Sequence, residues 1–170
     1  MWMNCITIQQ DHVNTDQIIP GAYLTRDDRA SMGEGLFQGM NLVRPVAGVP
    51  WAVLAGENFG SGSSREHAVW ALQAGGVHLV LAPSFARIFR RNAVNNGLVL
   101  AQLEAQALDA IAQMAGVGAI EVRADVEHAC VQVRPIQSTE LREFPFAQSP
   151  FEQSLLWHGG WLDFALQKFA

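Results

Sequence analysis

Residues 58–67 read Asn-Phe-Gly-Ser-Gly-Ser-Ser-Arg-Glu-His. Two hydroxyls and a guanidinium, Ser63, Ser64 and Arg65, stand in a row behind Gly60 and Gly62, and EHAVWALQ follows with the look of a helix. The first turn of a helix has N–H groups without intrahelical acceptors and the positive end of the dipole, so it draws anions. Glycine lets backbone approach a ligand closely. An arginine fork matches a carboxylate or phosphate with two parallel hydrogen bonds. The chemistry on offer is anion binding beside a hydroxyl, and the alternative is that Ser63 or Ser64 merely caps the helix. Familiar loops do not fit. A P-loop needs GxxxxGK(S/T), and no such lysine is present. A dinucleotide fingerprint needs a third glycine where Arg65 stands and a later acid, yet no Asp or Glu occurs between Glu66 and Glu104. No window supplies the GxSxG of a nucleophile elbow.

Two further stretches carry functional side chains. In residues 11–20 (DHVNTDQIIP), Asn14, Thr15 and Asp16 suit an Asx-type turn before an apolar run closed by proline. His12 reads as a surface or hydrogen-bonded histidine. In residues 84–92 (SFARIFRRN), Arg87 and Arg91 share a helix face at i,i+4, and with Arg90 they make a local positive region. That region suits an anionic substrate, an acidic partner or plain solvation. Phe85, Ile88 and Phe89 read as core. His78, His128 and His158 have no metal-ligand spacing, and no metal site is expected in this chain.

The elements that must position these groups alternate between strand and helix. Strands are expected at residues 4–9, 51–55, 77–82 and 98–101, with a hairpin-like pair, 120–123 and 129–134, around Asp125. Helices are expected at 66–73, 85–95 and 104–115. Gly75-Gly76 and Asn96-Gly97 stop the first two. Ser149-Pro150 marks the start of a C-terminal helical segment that Gly159-Gly160 interrupts before residues 161–169. Residues 21–40 read as loop. Nine of the fifteen glycines fall between Gly33 and Gly76, where backbone must bend or come close to something. The alternation argues one α/β domain over residues 1–170, with no repeat or linker.

Composition narrows the function classes. The chain has 170 residues, 49% hydrophobic and only 16% charged, against a usual charged share of about 25%. Low charge points to a covered face and a partner. A net charge of −5 argues against nucleic-acid binding through global charge. The two cysteines, Cys5 and Cys130, are fewer than the three thiolates a cubane iron–sulfur cluster needs. No signal peptide and no apolar run long enough for a membrane span are visible, so a soluble cytoplasmic protein is the expectation.

Taken together, NTDQIIP, NFGSGSSREHA and APSFARIFRRNAVNNGL, with the ending GGWLDFALQKF, resemble the small subunit of 3-isopropylmalate dehydratase, the separate-chain version of the swivel domain of aconitase. The order and spacing match over nearly the whole chain. The resemblance implies a compact α/β swivel domain, a barrel-like mixed sheet flanked by helices. It implies a hydro-lyase that interconverts 2-isopropylmalate and 3-isopropylmalate through isopropylmaleate in leucine biosynthesis. It also implies a large-subunit partner that carries a 4Fe-4S cluster, in a heterodimer or dimer of heterodimers, with no cofactor on this chain itself. By the same resemblance Ser63 is the base, acting as an alkoxide stabilised by Arg65 and by N–H groups at the helix start. Ser64 and Arg65 hold a carboxylate of a small hydroxy dicarboxylic acid. Tyr23, Leu24, Thr25 and Arg26 form the loop that selects the substrate side chain. An apolar loop suits an isopropyl group; Arg26 would suit an extra carboxylate unless Asp27 or Asp28 pairs with it. Thr15, Asp16, Gly60, Gly62, Glu66 and His67 shape the site. Ser61, Val69 and Asn14 depart from the family's usual Cys, Pro and Asp. The related readings are a small subunit for a homoaconitate, citramalate or dimethylmalate type of acid, or a non-catalytic anion-binding module.

Overall fold

The computed structural model describes residues 1–25 and 28–169. Seven strands form one mixed sheet in the order β4-β3-β2-β1-β5-β6-β7: β1 (Met3–Ile8), β2 (Trp51–Ala55), β3 (Val77–Ala82), β4 (Val99–Gln102), β5 (Ile120–Asp125), β6 (Cys130–Pro135) and β7 (Arg142–Pro145). β1 to β4 run parallel, and β5 to β7 pair antiparallel from the free edge of β1. The sheet curls into half a barrel flanked by helices, the α/β architecture expected from the sequence.

Period-two alternation divides the core between the sheet's two faces. Trp51, Val53, Val80 and Ala82 face α1 (Thr15–Ile18), α2 (Arg29–Met32), α3 (His67–Ala74) and α4 (Arg87–Asn95) through Ile18, Met32, Leu72 and Phe89. Ala52, Leu54, Leu79 and Leu81 face the other side, where Ile111 of α5 (Ala105–Val117) joins Val122, Val131 and Val133. β2 is buried at every residue, and its uninterrupted apolar run suits a parallel strand covered on both faces. α6 (Pro150–Trp157) and α7 (Trp161–Phe169) pack on the outer side of α4 through Leu155, Phe164 and Val94.

Several boundaries differ from expectation, each for a physical reason. The stretch taken as loop contains α2 and single 3-10 turns at Gly21–Tyr23 and Gly33–Gly35. α1 replaces the expected Asx turn: Asn14 Oδ1 accepts from the Gln17 N–H and Gln17 Oε1 from the Asn14 N–H, both at 2.9 Å, a reciprocal cap. α4 begins at Arg87 rather than residue 85, because Phe85 forms a parallel bridge with Phe59. Ile88, expected in the core, is 45% exposed on α4. β7 is an added edge strand. α6 starts at Pro150 with Ser149 as its N-cap, as expected, and Glu152 completes a capping box. At the α6–α7 joint, Gly160 has φ +125, and a side chain there would strike the Asn95 carbonyl of α4 at 2.5 Å. Among the described residues no helix is long and apolar enough to cross a membrane.

Candidate functional site

The three motif stretches follow the C-terminal ends of β1, β2 and β3, the edge where open parallel sheets bind ligands. Backbone hydrogen bonds stitch them together. His12 N–H donates to Glu57 O (2.8 Å), Gly60 N–H to Val13 O (2.8 Å) and Thr15 N–H to Ser61 O (2.8 Å). On the other side Phe59 N–H donates to Ser84 O (3.1 Å) and Ala86 N–H to Phe59 O (3.0 Å). The Asp11 carboxylate accepts from the Glu57 N–H (2.9 Å), and Ser84 Oγ accepts from the Asn58 N–H (2.8 Å). Exposed His12 meets Asn58 Nδ2 at 3.2 Å and Glu57 Oε1 at 3.3 Å, a hydrogen-bonded surface histidine as expected. Gly60 is obligatory: its φ is +79, and a Cβ would clash with the ring of Phe89 at its Cγ. Phe89 stacks edge-on against Phe59, with centroids 5.5 Å apart, and so sets α4 directly under the loop.

The chain then runs irregularly through Gly62 (φ +96) to Glu66 before α3 starts at His67. Glu66 is the N-cap residue and makes no side-chain cap bond, so neither Ser63 nor Ser64 caps this helix. Their hydroxyls have no hydrogen-bond partner among the described residues. Ser63 N–H donates to Thr15 Oγ1 at 3.0 Å, and Thr15 is 3% exposed, the one buried polar residue among those described. That N–H is therefore committed to Thr15. Arg65 Nη1 lies 3.2 Å from Asp16 Oδ1, with side chains 46% and 70% exposed. This single contact is longer than the 2.7–2.9 Å typical of charge-assisted bonds, and leaves most of the guanidinium fork open. Asn92 Nδ2 donates to Ser64 O at 3.0 Å. Asn96 Nδ2 donates to Glu66 Oε1 at 3.3 Å. The His67 ring packs on Trp70 with centroids 4.9 Å apart, and its buried Nδ1 has no partner among the described residues.

The structure brings Thr15, Asp16, Gly60, Gly62, Ser63, Ser64, Arg65, Glu66 and His67 into one neighbourhood. Tyr23 and Leu24 pack against the core, with the Tyr23 ring over Gly35, and Thr25 is exposed. Arg26 and Asp27 lie outside the described residues. Asp28 caps α2 by accepting from the Ala30 N–H at 2.9 Å. The positive region of α4 is divided. Arg90 turns away to Glu152 at 3.0 Å, whereas Arg87 and Arg91 are exposed. Burial alone would raise the Glu152 pKa, but Arg90 and the Ser149 N–H outweigh it and hold the carboxyl below its ordinary range. A cleft of about 650 Å³ opens beside Asp16, lined by Gln9, Gln10, Gln17, Met40 and Leu42 among others. Ser63 and Arg65 do not line it; they stand on an open edge.

The two cysteines do not suit a cluster site. Burial pushes the Cys5 thiol up to about 12, far from the thiolate that iron requires. Among the described residues no group of three or more His, Cys, Asp or Glu stands together.

Asn92 and Asn96 were not singled out from the sequence. Their i,i+4 spacing, the same signal that paired Arg87 with Arg91, places them on one face of α4. Only the position of the loop reveals which face matters.

A family model described as the aconitase C-terminal domain matches residues 41–106. The 3-isopropylmalate dehydratase small subunit 2 of Deinococcus radiodurans is 37% identical over 163 residues, covering 91% of this chain and 71% of that one. The chain belongs to the 3-isopropylmalate dehydratase small-subunit family. The small subunit of Erythrobacter litoralis is 39% identical over 155 residues, covering 87% of this chain and 74% of that one. The match to the small subunit of Frankia casuarinae is 46% identical over 112 residues, and spans 62% of this chain but only 57% of that relative's length. The crystal structure of 3-isopropylmalate dehydratase from Methanocaldococcus jannaschii superposes with a TM-score of 0.76 at 27% identity, covering 98% of this chain and 93% of that one.

Proposed function

We propose that this chain, a swivel domain over residues 1–170, is the small subunit of a cytoplasmic hydro-lyase that interconverts 2-isopropylmalate and 3-isopropylmalate. It works with a large subunit that carries a 4Fe-4S cluster. The observation that carries the reading is the Ser63-Ser64-Arg65 loop. It offers two hydroxyls without partners among the described residues and a loosely held guanidinium, on a backbone clasped by Thr15 and Asn92. When bound by the large subunit, the cluster supplies a Lewis acid for the departing hydroxyl.

This chain's residues then have separable tasks. Arg65 exchanges its contact with Asp16 for a substrate carboxylate, and Ser64 donates to the same group. Ser63 Oγ accepts the proton from the carbon beside a carboxylate and returns it when water re-adds. A free serine is a poor base, so charge beside it must favour the alkoxide. Arg65 is the cation on the loop, and the start of α3 adds its positive dipole end. The loop lies on an open edge, so the partner must close over it to exclude water. The stretch Tyr23, Leu24, Thr25 and Arg26 is assigned the selection of the isopropyl group.

The test is anaerobic reconstitution of the chain with a cluster-loaded large subunit, following the unsaturated intermediate by ultraviolet absorbance. Isopropylmalate is offered beside homocitrate and citramalate, with kcat/KM as the criterion. Turnover of isopropylmalate only in the mixture, lost in Ser63→Ala, is the expected result. Near-normal turnover by Ser63→Ala would remove Ser63 as base, and preference for another acid would reassign the substrate.

A further inference from the structure

We infer that Asn92, braced by Asn96, is a positioning residue for the reacting loop; its catalytic consequence rests on the proposed function above. Between Gly62 and Glu66 the backbone has no regular structure, so nothing in a helix or strand ladder fixes its torsions. Two side chains grip it. Thr15 takes the Ser63 N–H from one side, and Asn92 Nδ2 gives to the Ser64 carbonyl, at 3.0 Å, from the other. A carbonyl only accepts, so the donor must be the Asn92 amide nitrogen. This bond fixes the peptide plane between Ser64 and Arg65, and with it the directions in which the Ser64 hydroxyl and the Arg65 guanidinium leave the backbone.

Asn92 is itself held in place. Its carbonyl accepts from Asn96 Nδ2 at 2.8 Å and from the Asn96 N–H at 3.1 Å. Asn96 also donates to Glu66 Oε1 (3.3 Å), accepts from Trp70 Nε1 (3.0 Å) and takes Gln73 Nε2 on its carbonyl (2.6 Å). Trp70 is in turn covered by the Arg29 guanidinium, 4.1 Å from its ring centroid. Asn96 thus ties both ends of α3 to α4, and Asn92 carries that fixed frame forward to the loop. Phe89, seated under Gly60, keeps α4 from sliding. A side chain rooted in a backbone held this way fixes a reacting group better than a loop alone, and displacements near 1 Å cost rate on the order of a hundredfold.

The test uses the full chain with Asn92→Ala and Asn92→Asp. Aspartate keeps the shape but replaces the donor by an oxygen that repels the Ser64 carbonyl. In the free chain, amide hydrogen exchange at residues 61–66 is expected to quicken about five- to tenfold in both variants, while the β2 amides stay protected. In the assembled complex kcat is expected to fall at least tenfold, with Asp as damaging as Ala or more so, and thermal unfolding nearly unchanged. A merely structural side chain would instead show Asp milder than Ala and losses in step with thermal stability. Unchanged loop exchange, or faster exchange with wild-type kcat, would overturn the inference. If the wild-type complex turns over no isopropylmalate, the functional reading fails separately, and the exchange experiment still decides whether Asn92 holds the loop.

Discussion

Replacing Thr15 by valine isolates the other grip on the loop. Valine keeps the β-branched shape but removes the Oγ1 that accepts the Ser63 N–H at 3.0 Å. The Thr15 N–H still donates to Ser61 O, so the backbone frame survives. An orphaned buried donor costs about 1–3 kcal/mol. Thr15 is 3% exposed but Ser63 is only half-buried, so water can reach the freed N–H and the low end, about 1 kcal/mol, applies. For a chain of this size that lowers Tm by roughly 2–4 °C. The effect on activity should be disproportionate, because the lost bond lies on the amide of the proposed base. A fall of about 10- to 100-fold in kcat/KM is expected in the reconstituted complex. Thr15→Ser is the control: it keeps the acceptor and loses a buried methyl, so it should match or exceed the Tm loss while keeping kcat/KM within a fewfold. The assays are thermal unfolding of each chain and steady-state kinetics with one large-subunit preparation. If Thr15→Ser loses as much activity as Thr15→Val, the methyl packing matters and the hydrogen bond does not. If Thr15→Val keeps wild-type kcat/KM, Ser63 needs no such anchor.

Asp16→Asn should remove a competitor for Arg65. Exposed ion pairs are worth about 0–1 kcal/mol, so KM for isopropylmalate should fall by up to about fivefold with kcat held, whereas a raised KM would mean that Asp16 aims the guanidinium. With its thiol pushed up to about 12, half-buried Cys5 should resist iodoacetamide at pH 8 in the native chain and react once the chain is unfolded; rapid native labelling at Cys5, located by peptide mapping, would contradict the raised thiol. Arg90 and the Ser149 N–H hold Glu152 below its ordinary carboxylate range against the opposing effect of burial, so its folded pKa lies under its unfolded one. It therefore stabilises the fold above the unfolded value of about 4.3, and that contribution is lost as pH falls through the folded value. Urea unfolding should show Glu152→Gln less stable than wild type at pH 7, with the gap closing in acid; a gap independent of pH would show that the carboxylate's charge is not the source of the loss.

Elements whose signals are local and apolar were legible in the sequence. WAVLA and VHLVLA are strands as expected, and Ser149-Pro150 opens α6 as expected. Elements decided by long-range contacts were not. Pro83-Ser84 looks like a helix start, but Ser84 spends its hydroxyl on the Asn58 N–H of another loop, and Phe85 bridges Phe59, so α4 waits until Arg87. The apolar tail of NTDQIIP masks α1, although Asn14 and Gln17 carried its capping spacing all along. β7, REFP, is a polar edge strand with little burial to mark it. For the site, the residue types of the serine loop suggested anion chemistry, but the cap-or-ligand ambiguity could be resolved only by seeing where α3 begins.

The assembly of the loop explains why the residue pair Thr15-Asp16 accompanies a Ser-Ser-Arg sequence. Thr15 and Asp16 are neighbours on a helix only four residues long, fixed by its own capping box. Thr15 holds Ser63 and Asp16 holds Arg65, so two adjacent side chains meet residues two apart on the loop. Ser64, between them, is held by its carbonyl from α4 instead. The short helix therefore anchors the amide of the proposed base through Thr15, while the opposite helix sets the peptide plane between Ser64 and Arg65. Moving either support displaces the proposed base relative to the guanidinium. On this geometry, rate should be more sensitive to Thr15 and Asn92 than overall stability is, since each makes one bond in a well-buried fold and both bonds end on the reacting loop.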